Sequence, residues 1–452
     1  TVPGATALTV QGATAFQGIR QLRGGECLTL DLQSMVLAIK RYWTPLPDPH
    51  TGRISFPDAV AEFKDLLSDS VKLRLRGDVK IGSCLSGGLD SSAIVCLTRE
   101  ILGDEPYHVF CGRFPGTPAD EWGYAKQIID HTGVIAHVSE PTAPDLLSQI
   151  GEFTWFNELP VSSTSQFAQW TIFESAKDAG VTVLLDGQGS DEILGGYEQY
   201  FRNYLAALRA SGQDKAARHE AEAIRQRYPL ALADDAEALK RRMHDGLRRA
   251  IAGLVGVGSD VRFGLTMPPL GKTQAIDTGL SALAVNPLAE GLVEDSFAAT
   301  LPTLLRYGDR NSMAHSREVR LPFCDHRIAE FAFSLPPGFL MGDVQTKRLL
   351  RESIRGIVPD PVRERWNKQG FRPPQDAWMS EHMYEAIRDV LHSREFANRG
   401  WWRIGWWKSA LKRLRKGETH LAAPLWMPYI TEMWMHHFVD RVQSEPRVPI
   451  YC

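Results

Sequence analysis

Cysteine is scarce in this chain. Six are scattered at positions 27, 84, 96, 111, 324 and 452, with no Cys-x-x-Cys pair. That spacing suggests neither a zinc site nor a disulfide framework. Cys84, Cys96 and Cys111 fall within apolar runs and read as small core residues. A secretory leader and an apolar stretch of membrane-spanning length are also lacking, so the cytoplasm is expected and a membrane is not. Excess charge of one sign is missing as well: 51 Lys and Arg face 54 Asp and Glu, a net −3. This argues against a nucleic-acid binder that works through bulk positive charge, leaving only a local basic patch. There are no internal repeats, no low-complexity tracts and no GxxxxGK[ST] string. The last absence excludes the Walker phosphate loop. At 452 residues, 43% hydrophobic and 23% charged, the composition is that of a globular protein with room for two or three domains.

What is present starts with a string at 81–92, Ile-Gly-Ser-Cys-Leu-Ser-Gly-Gly-Leu-Asp-Ser-Ser. The apolar run 79–85 predicts a buried parallel strand. The pattern Ala93, Ile94, Leu97, Ile101 predicts a helix, and a Ser-Gly-Gly turn lies between them. Glycines let backbone N–H groups close on an anion, and the helix N-terminus adds partial positive charge. Ser86, Ser91 and Ser92 supply hydroxyls, and Asp90 suits a magnesium ion that bridges phosphate oxygens. A Ser-Gly-Gly turn alone reads as a helix start with capping serines; the whole string after a strand reads as a phosphate loop.

Further along, strands are expected at 79–85, 107–113, 134–138 and 181–185. Helices are expected at about 56–76, 91–102, 120–132, 144–156 and 166–179. This alternation predicts an α/β fold with a doubly wound, mostly parallel sheet and a largely helical C-terminal part. In such sheets ligands sit beyond the carboxyl ends of the strands, where both glycine-rich loops fall. Segments 16–20 and 26–31 read as short strands, 44–51 as a proline-rich linker, 198–255 as charged helix and 256–290 as loop. The Trp-rich end reads as helix packing.

The second loop follows strand 181–185 and reads Gly187-Gln188-Gly189-Ser190-Asp191-Glu192. Facing the first loop, Asp191 can share a magnesium with Asp90; taken alone, it is a helix cap. Three more charged groups follow: DRNSMAHSREVRLPFCDHR at 309–327, TKRLLRE at 346–352 and KQGF at 368–371. In this order the motifs resemble the synthetase domain of the class II glutamine-dependent asparagine synthetases, from about residue 56 to the Trp434–Phe438 end. The first loop resembles the SGGxDS loop of the ATP pyrophosphatase superfamily, whose sheet fold is therefore expected. Residues 1–50 resemble the tail of a glutaminase-like domain plus linker, and 51–452 the amide-forming domain.

The resemblance implies ATP and Mg2+ as cofactors. It implies that Leu85, Ser86, Gly87, Gly88, Leu89, Asp90, Ser91 and Ser92 hold the nucleotide and its pyrophosphate, with Gly112 beside the adenosine. Gly187, Gly189 and Ser190 join the second loop, and Asp90 and Asp191 hold the metal. Lys347 would neutralise charge as an acyl-adenylate forms and reacts. Gln188 stands where the amine meets the acyl group, and Glu318 is a candidate buried orienting carboxylate. The expected reaction is ATP-dependent amide formation through an acyl-adenylate, with release of AMP and pyrophosphate.

Two departures put the substrate in doubt rather than the adenylation. Gln188 replaces a glutamate common in the family, and the segment 159–165 lacks the family's substrate arginine. The chain starts at Thr1 with its first cysteine at Cys27, so most of the glutaminase is expected to be absent and glutamine unusable by this chain alone. One rival is a cyclase closing an intramolecular amide, β-lactam synthetase-like or lasso-peptide cyclase-like. Another is a catalytically silent nucleotide-binding subunit. The partners expected are a small-molecule or peptide carboxylate and a separate glutaminase chain or domain; a homodimer is compatible.

Overall fold

The computed structural model describes residues 14, 16, 18–45, 54–229, 231–232, 264–266, 280, 283–367 and 371–441. Five strands form one parallel sheet: β3 (Ile81–Cys84), β4 (His108–Gly112), β5 (Ile135–Ser139), β6 (Val183–Leu185) and β7 (Glu318–Arg320), in the order β5-β4-β3-β6-β7. A separate antiparallel hairpin precedes them, β1 (Glu26–Leu30) and β2 (Leu37–Arg41). The chain builds outward from β3 through β4 to β5, then crosses back to lay β6 on the other side of β3. That crossing places the switch point between β3 and β6, where ligands collect in sheets of this kind.

Local chemistry accounts for the helices that cover the sheet. Helix α1 (Phe56–Arg74) starts with Ser55, which accepts the Asp58 N–H, and buries Ala59, Phe63, Leu67 and Val71 at helical spacing. Helix α2 (Leu89–Leu102) buries its whole first half, and α3 (Trp122–Thr132) ends on the left-handed Gly133. Helix α4 (Ala143–Asn157) carries a capping box between Thr142 and Asp145, and α5 (Ser165–Asp178) packs Phe167, Trp170 and Phe173 inward. The expected strands and helices thus recur with shifts of one or two residues at their ends.

After β6 come α6 (Ser190–Leu194), α7 (Tyr200–Ala210), α8 (Asp214–Arg227), α9 (Pro287–Phe297) and α10 (Thr300–Ala314). Beyond β7 lie α11 (His326–Ser334), α12 (Arg348–Ser353), α13 (Tyr384–His392), α14 (Ile404–Arg415) and α15 (Ala422–Met435). Trp402, Trp406, Trp407 and Trp426 are buried together with Phe153 and Phe167 in a second core beside the sheet. The Trp-rich end is therefore packing. Most of 233–279, with the rest of the charged run and most of the expected loop 256–290, lies outside the described residues; the end of that loop is instead helical, since α9 starts at Pro287 behind the Asn286 cap.

Two expectations need correction. Only Arg20 of the segment 16–20 makes a bridge; the partner of β1 is β2, formed by Leu-Ala-Ile-Lys-Arg after a turn at 31–36. The register pairs Leu28 with Ile39 and Leu30 with Leu37, and this apolar face is exposed. Glu318 is not buried: its side chain is 56% exposed and pairs with Arg320 at 2.6 Å. It opens β7 at the amino end of an edge strand, opposite Val183, whereas the glycine loops leave the carboxyl ends.

His315 lies just after α10 and is buried against the ring of Trp170, with ring centroids 4.4 Å apart and Nε2 without a hydrogen-bond partner. Burial, with Lys177 and Arg317 nearby, lowers its pKa to about 4. The unfolded chain takes up this proton near pH 6.5, and the native state resists until about pH 4. Stability from this residue is therefore complete above pH 6.5 and lost as pH falls through that window, by up to about 3 kcal/mol. Urea midpoints at pH 7 and pH 4.5 should show the loss in the native chain, and His315→Gln should lose less.

Candidate active site

Both glycine turns leave the carboxyl ends of adjacent strands, β3 and β6. They pack so closely that a Cβ on Gly187 would lie 2.9 Å from Asp90 Cβ, so only glycine brings the turns together here. In the first turn the Ser91 hydroxyl accepts the Ser86 N–H and donates to Gly88 O, each at 3.2 Å, and the Gly88 N–H donates to Ser86 Oγ at 3.2 Å. Gly87 adopts φ +78°, with its backbone against Tyr124 and Ala125 of α3. The Ser92 hydroxyl is buried without a partner. Leu89 is core.

The centre of the site is an ion triad. Lys347 Nζ lies 2.6 Å from Asp90 Oδ1 and 2.6 Å from Asp191 Oδ1, and Ser190 Oγ donates to the same Asp90 oxygen at 2.7 Å. The side chains of Lys347, Asp90 and Asp191 are 4%, 10% and 16% exposed, so the charges are largely withdrawn from water and depend on one another. Asp90 sits in the first turn of α2 and Asp191 in that of α6, both favourable places for a carboxylate. Nearby Glu192 accepts from the Tyr197 hydroxyl, and burial raises the pKa of both groups.

Lys347 is delivered by strained backbone. Asp343, Val344 and Lys347 have φ of +52°, +57° and +51°, rare for side chains other than glycine and rarest for a β-branched residue. Each such residue costs about 1–3 kcal/mol, a cost the surroundings must offset. Glu220 of α8 helps: its carboxylate accepts the Asp343 and Val344 N–H groups at 2.9 and 3.2 Å.

A cavity of about 360 Å³ opens beside the triad. Of the residues anticipated, Leu85, Ser86, Asp90, Ser91, Gly112, Gly187, Gln188 and Asp191 line it. Gly87, Gly88, Ser92, Gly189 and Ser190 support it from behind, Lys347 reaches in through the triad, and Glu318 is far off at the other end of its strand. One end of the cavity is apolar, with Leu85, Phe110, Ile172 and Phe371, whose ring lies against the open face of Gly112. The rest of the lining is polar, with Ser163, Ser165, Gln166, Gln169, Gln188 and Tyr307, and it includes the cation Arg372. The arginine-free segment 159–165 thus contributes hydroxyls to the wall.

Several lining residues escaped the motifs. Glu121 belongs to the N-terminal end of α3 and pairs with Arg365, whose guanidinium also lies 4.0 Å over the Tyr124 ring. Asp186 directly follows β6, immediately before the second turn. Burial, together with the nearby Asp90, raises its pKa to about 6, although its Oδ1 accepts the Gly187 N–H. Its position at a strand's carboxyl end was the signal available in the sequence. Gln169 and Tyr307 lie on helix faces with no motif to mark them. Among the described residues, no group of three or more His, Cys, Asp or Glu forms a metal cluster. The hard oxygens of Asp90 and Asp191 converge on one cationic point, a donor set of the kind that would suit a magnesium ion.

Fold and cavity define an α/β protein with a buried carboxylate–ammonium site at the switch point of a parallel sheet. The chain belongs to the asparagine synthase family, whose family model matches residues 62–436. It is similar to asparagine synthetase [glutamine-hydrolyzing] 3 of Bacillus subtilis, 28% identical over 367 residues, covering 78% of this chain and 54% of that one. It is also similar to amidase chry2 of Gibberella zeae, 24% identical over 437 residues, covering 86% and 64%. A putative asparagine synthetase [glutamine-hydrolyzing] of Mycobacterium tuberculosis is 25% identical over 462 residues, covering 97% and 67%. The chain thus spans between about half and two thirds of the length of these relatives. Among the described residues, no helix is long and apolar enough to cross a membrane.

The triad tolerates no added volume at its edge. A Cβ on Gly196 would fall 1.9 Å from Asp191 Oδ1 and 2.2 Å from Lys347 Cε. Gly196→Ala is expected to force the pair apart and destabilise the chain by about 1–3 kcal/mol, as overpacking does. A lower urea midpoint with unchanged slope would register this. Wild-type stability would mean that the loop relaxes freely.

Proposed function

We propose that this chain forms an amide bond at the expense of ATP, activating a carboxylate as its acyl-adenylate and releasing AMP and pyrophosphate. The observation that carries the reading is the convergence of Lys347 on Asp90 and Asp191 beside a glycine turn with no Walker lysine. Membership of the asparagine synthase family and the names of the relatives support it.

In this reading, Ser86 and Ser91, with the backbone of Gly87 and Gly88, hold the pyrophosphate end of ATP, and Ser92 supplies its spare hydroxyl. Leu85 and Gly112, at the apolar end, flank the adenosine. Asp90 and Asp191 would hold Mg2+, which supplies charge neutralisation for the phosphates when bound. Lys347 turns its ammonium from the two carboxylates to the anionic phosphorus centre. A fixed cation withdrawn from water acts more strongly there than a solvated one. The acyl group occupies the polar part of the cavity, where Gln188 stands by the carbonyl.

Aspartate is the first carboxylate to test, with ammonia as nitrogen source. A second reading is favoured by the segment 159–165, which brings Ser163 and Ser165 to the wall and no arginine, although Arg372 lines the cavity elsewhere. In that reading the carboxylate belongs to a larger molecule carrying its own amine, and the product is a ring. The partner supplying ammonia from glutamine, a glutaminase chain or domain, belongs to the first reading only.

Pyrophosphate exchange into ATP, driven by aspartate or by a panel of peptide carboxylates, tests the first half-reaction; ADP and orthophosphate as coupled products would overturn the proposal. Lys347→Met should lower kcat by about a hundredfold or more, the usual loss for one preorganised donor. A rise in the KM for ATP with kcat unchanged would reduce Lys347 to a binding charge.

A further inference from the structure

Four carboxylates line the cavity: Asp90, Glu121, Asp186 and Asp191. Three are matched with cations. Asp90 and Asp191 share Lys347, and Glu121 pairs with Arg365. Asp186 makes no ion pair among the described residues. One of its oxygens accepts the Gly187 N–H at 2.6 Å, and the nearby Gln169 amide favours its charged form. A carboxylate facing a cavity, with its lone pairs only partly used and no ion pair of its own among the described residues, is a receptor for a positive ligand, even with Arg372 elsewhere on the lining.

The direction in which it faces is enforced from behind. Asn311, fully buried on α10, donates through Nδ2 to Gln169 Oε1 at 3.1 Å and to Gln166 O at 3.0 Å. Its own Oδ1 accepts from Asn157 Nδ2 at 3.0 Å. With the Gln169 oxygen so occupied, its amide N–H groups are the ones left for Asp186. The carboxylate is therefore oriented from both sides: by the turn that follows it and by a chain of three amides from α4, α10 and α5.

Its place in the cavity is as informative. Asp186 directly follows β6, two residues before Gln188, with Asp90 of the ion triad and Gln169 of the polar wall as neighbours. Gln188 is uncharged and cannot attract a cation as a carboxylate does. We propose that Asp186 is the amine-docking carboxylate of this site, binding the nitrogen donor in its protonated form, as ammonium or a primary alkylammonium, beside the acyl carbon. The inference rests on the acyl-adenylate reading above. It gives Gln169 and Asn311 the part of positioning residues.

The test compares the unaltered chain with Asp186→Asn and Gln169→Leu, using the carboxylate that drives pyrophosphate exchange. Two nitrogen sources are supplied separately: ammonium chloride, and hydroxylamine, which is largely uncharged at neutral pH. Losing one charge-assisted contact should raise the KM for ammonium about tenfold or more in Asp186→Asn. The ratio of hydroxamate formed to pyrophosphate exchanged should change far less. Gln169→Leu should shift the ammonium KM in the same direction by a smaller factor, and exchange measured on each variant reports whether its fold and nucleotide end are intact. An unchanged ammonium KM in Asp186→Asn, equal loss with both nitrogen sources, or loss of exchange itself would overturn the role. So would an unaltered chain that exchanges pyrophosphate but forms no amide from ammonium. No exchange with any carboxylate in the unaltered chain would instead remove the acyl-adenylate reading, and this role with it.

Discussion

Two carboxylates held near each other out of water need a cation, and Lys347 supplies it. Most of what defines this site follows from that need. Asp90 and Asp191 open two different helices, α2 and α6, at the ends of neighbouring strands, and the ammonium between them ties those helices to the segment that leads into α12. Such a triad is a poor source of net stability, because desolvation takes back most of the Coulomb gain, but any single member left alone is expensive. The strain at Asp343, Val344 and Lys347 is the backbone counterpart of this arrangement. A relaxed loop would not bring the ammonium to the same point, and Glu220 of α8 holds the unrelaxed one in place.

Much of the fold was legible because its elements are locally consistent. Strands β3, β4, β5 and β6 are short apolar runs bounded by turn residues, and α1 to α5 carry helical periodicity and their own caps. β7 was not legible: Glu-Val-Arg is a three-residue edge strand inside a charged cluster, and only pairing with β6 makes it a strand. In the same cluster the buried role that the resemblance implied for Glu318 fails, because Glu318 pairs with Arg320 at the exposed edge. Alternation along an edge strand turns such charges outward. The hairpin partner of β1 was missed because β2 is exposed along nearly its whole length and owes its form to β1 rather than to a core.

The site was legible where chemistry is written as contiguous strings. SGGLDSS and GQGSDE lie at the two turns that the fold brings together, and TKRLLRE contributes the lysine between them. What sequence does not show is which charges cancel. Lys347 read as a charge-neutralising lysine without its two partners, which lie in other motifs. Asp186 read as the last residue of a strand, and its significance comes from the pairing of every other cavity carboxylate. Gln169 and Asn311 belong to helices whose faces are decided only once α5 and α10 meet.

The triad also bears on how the chain acquires its structure. Ser190 lies 100 residues beyond Asp90, and Lys347 lies 257 beyond it. During synthesis the strands that lead into both acidic residues emerge long before the lysine does. A nascent chain that docks β6 on β3 early thus brings two like charges together while their counter-ion is still unmade. Such long-range closure is intrinsically slow, and intermediates that expose unpaired strand edges are prone to associate. The late arrival of the 343–347 loop should be the step that locks the sheet, so the same lysine that readies the site also marks the end of folding.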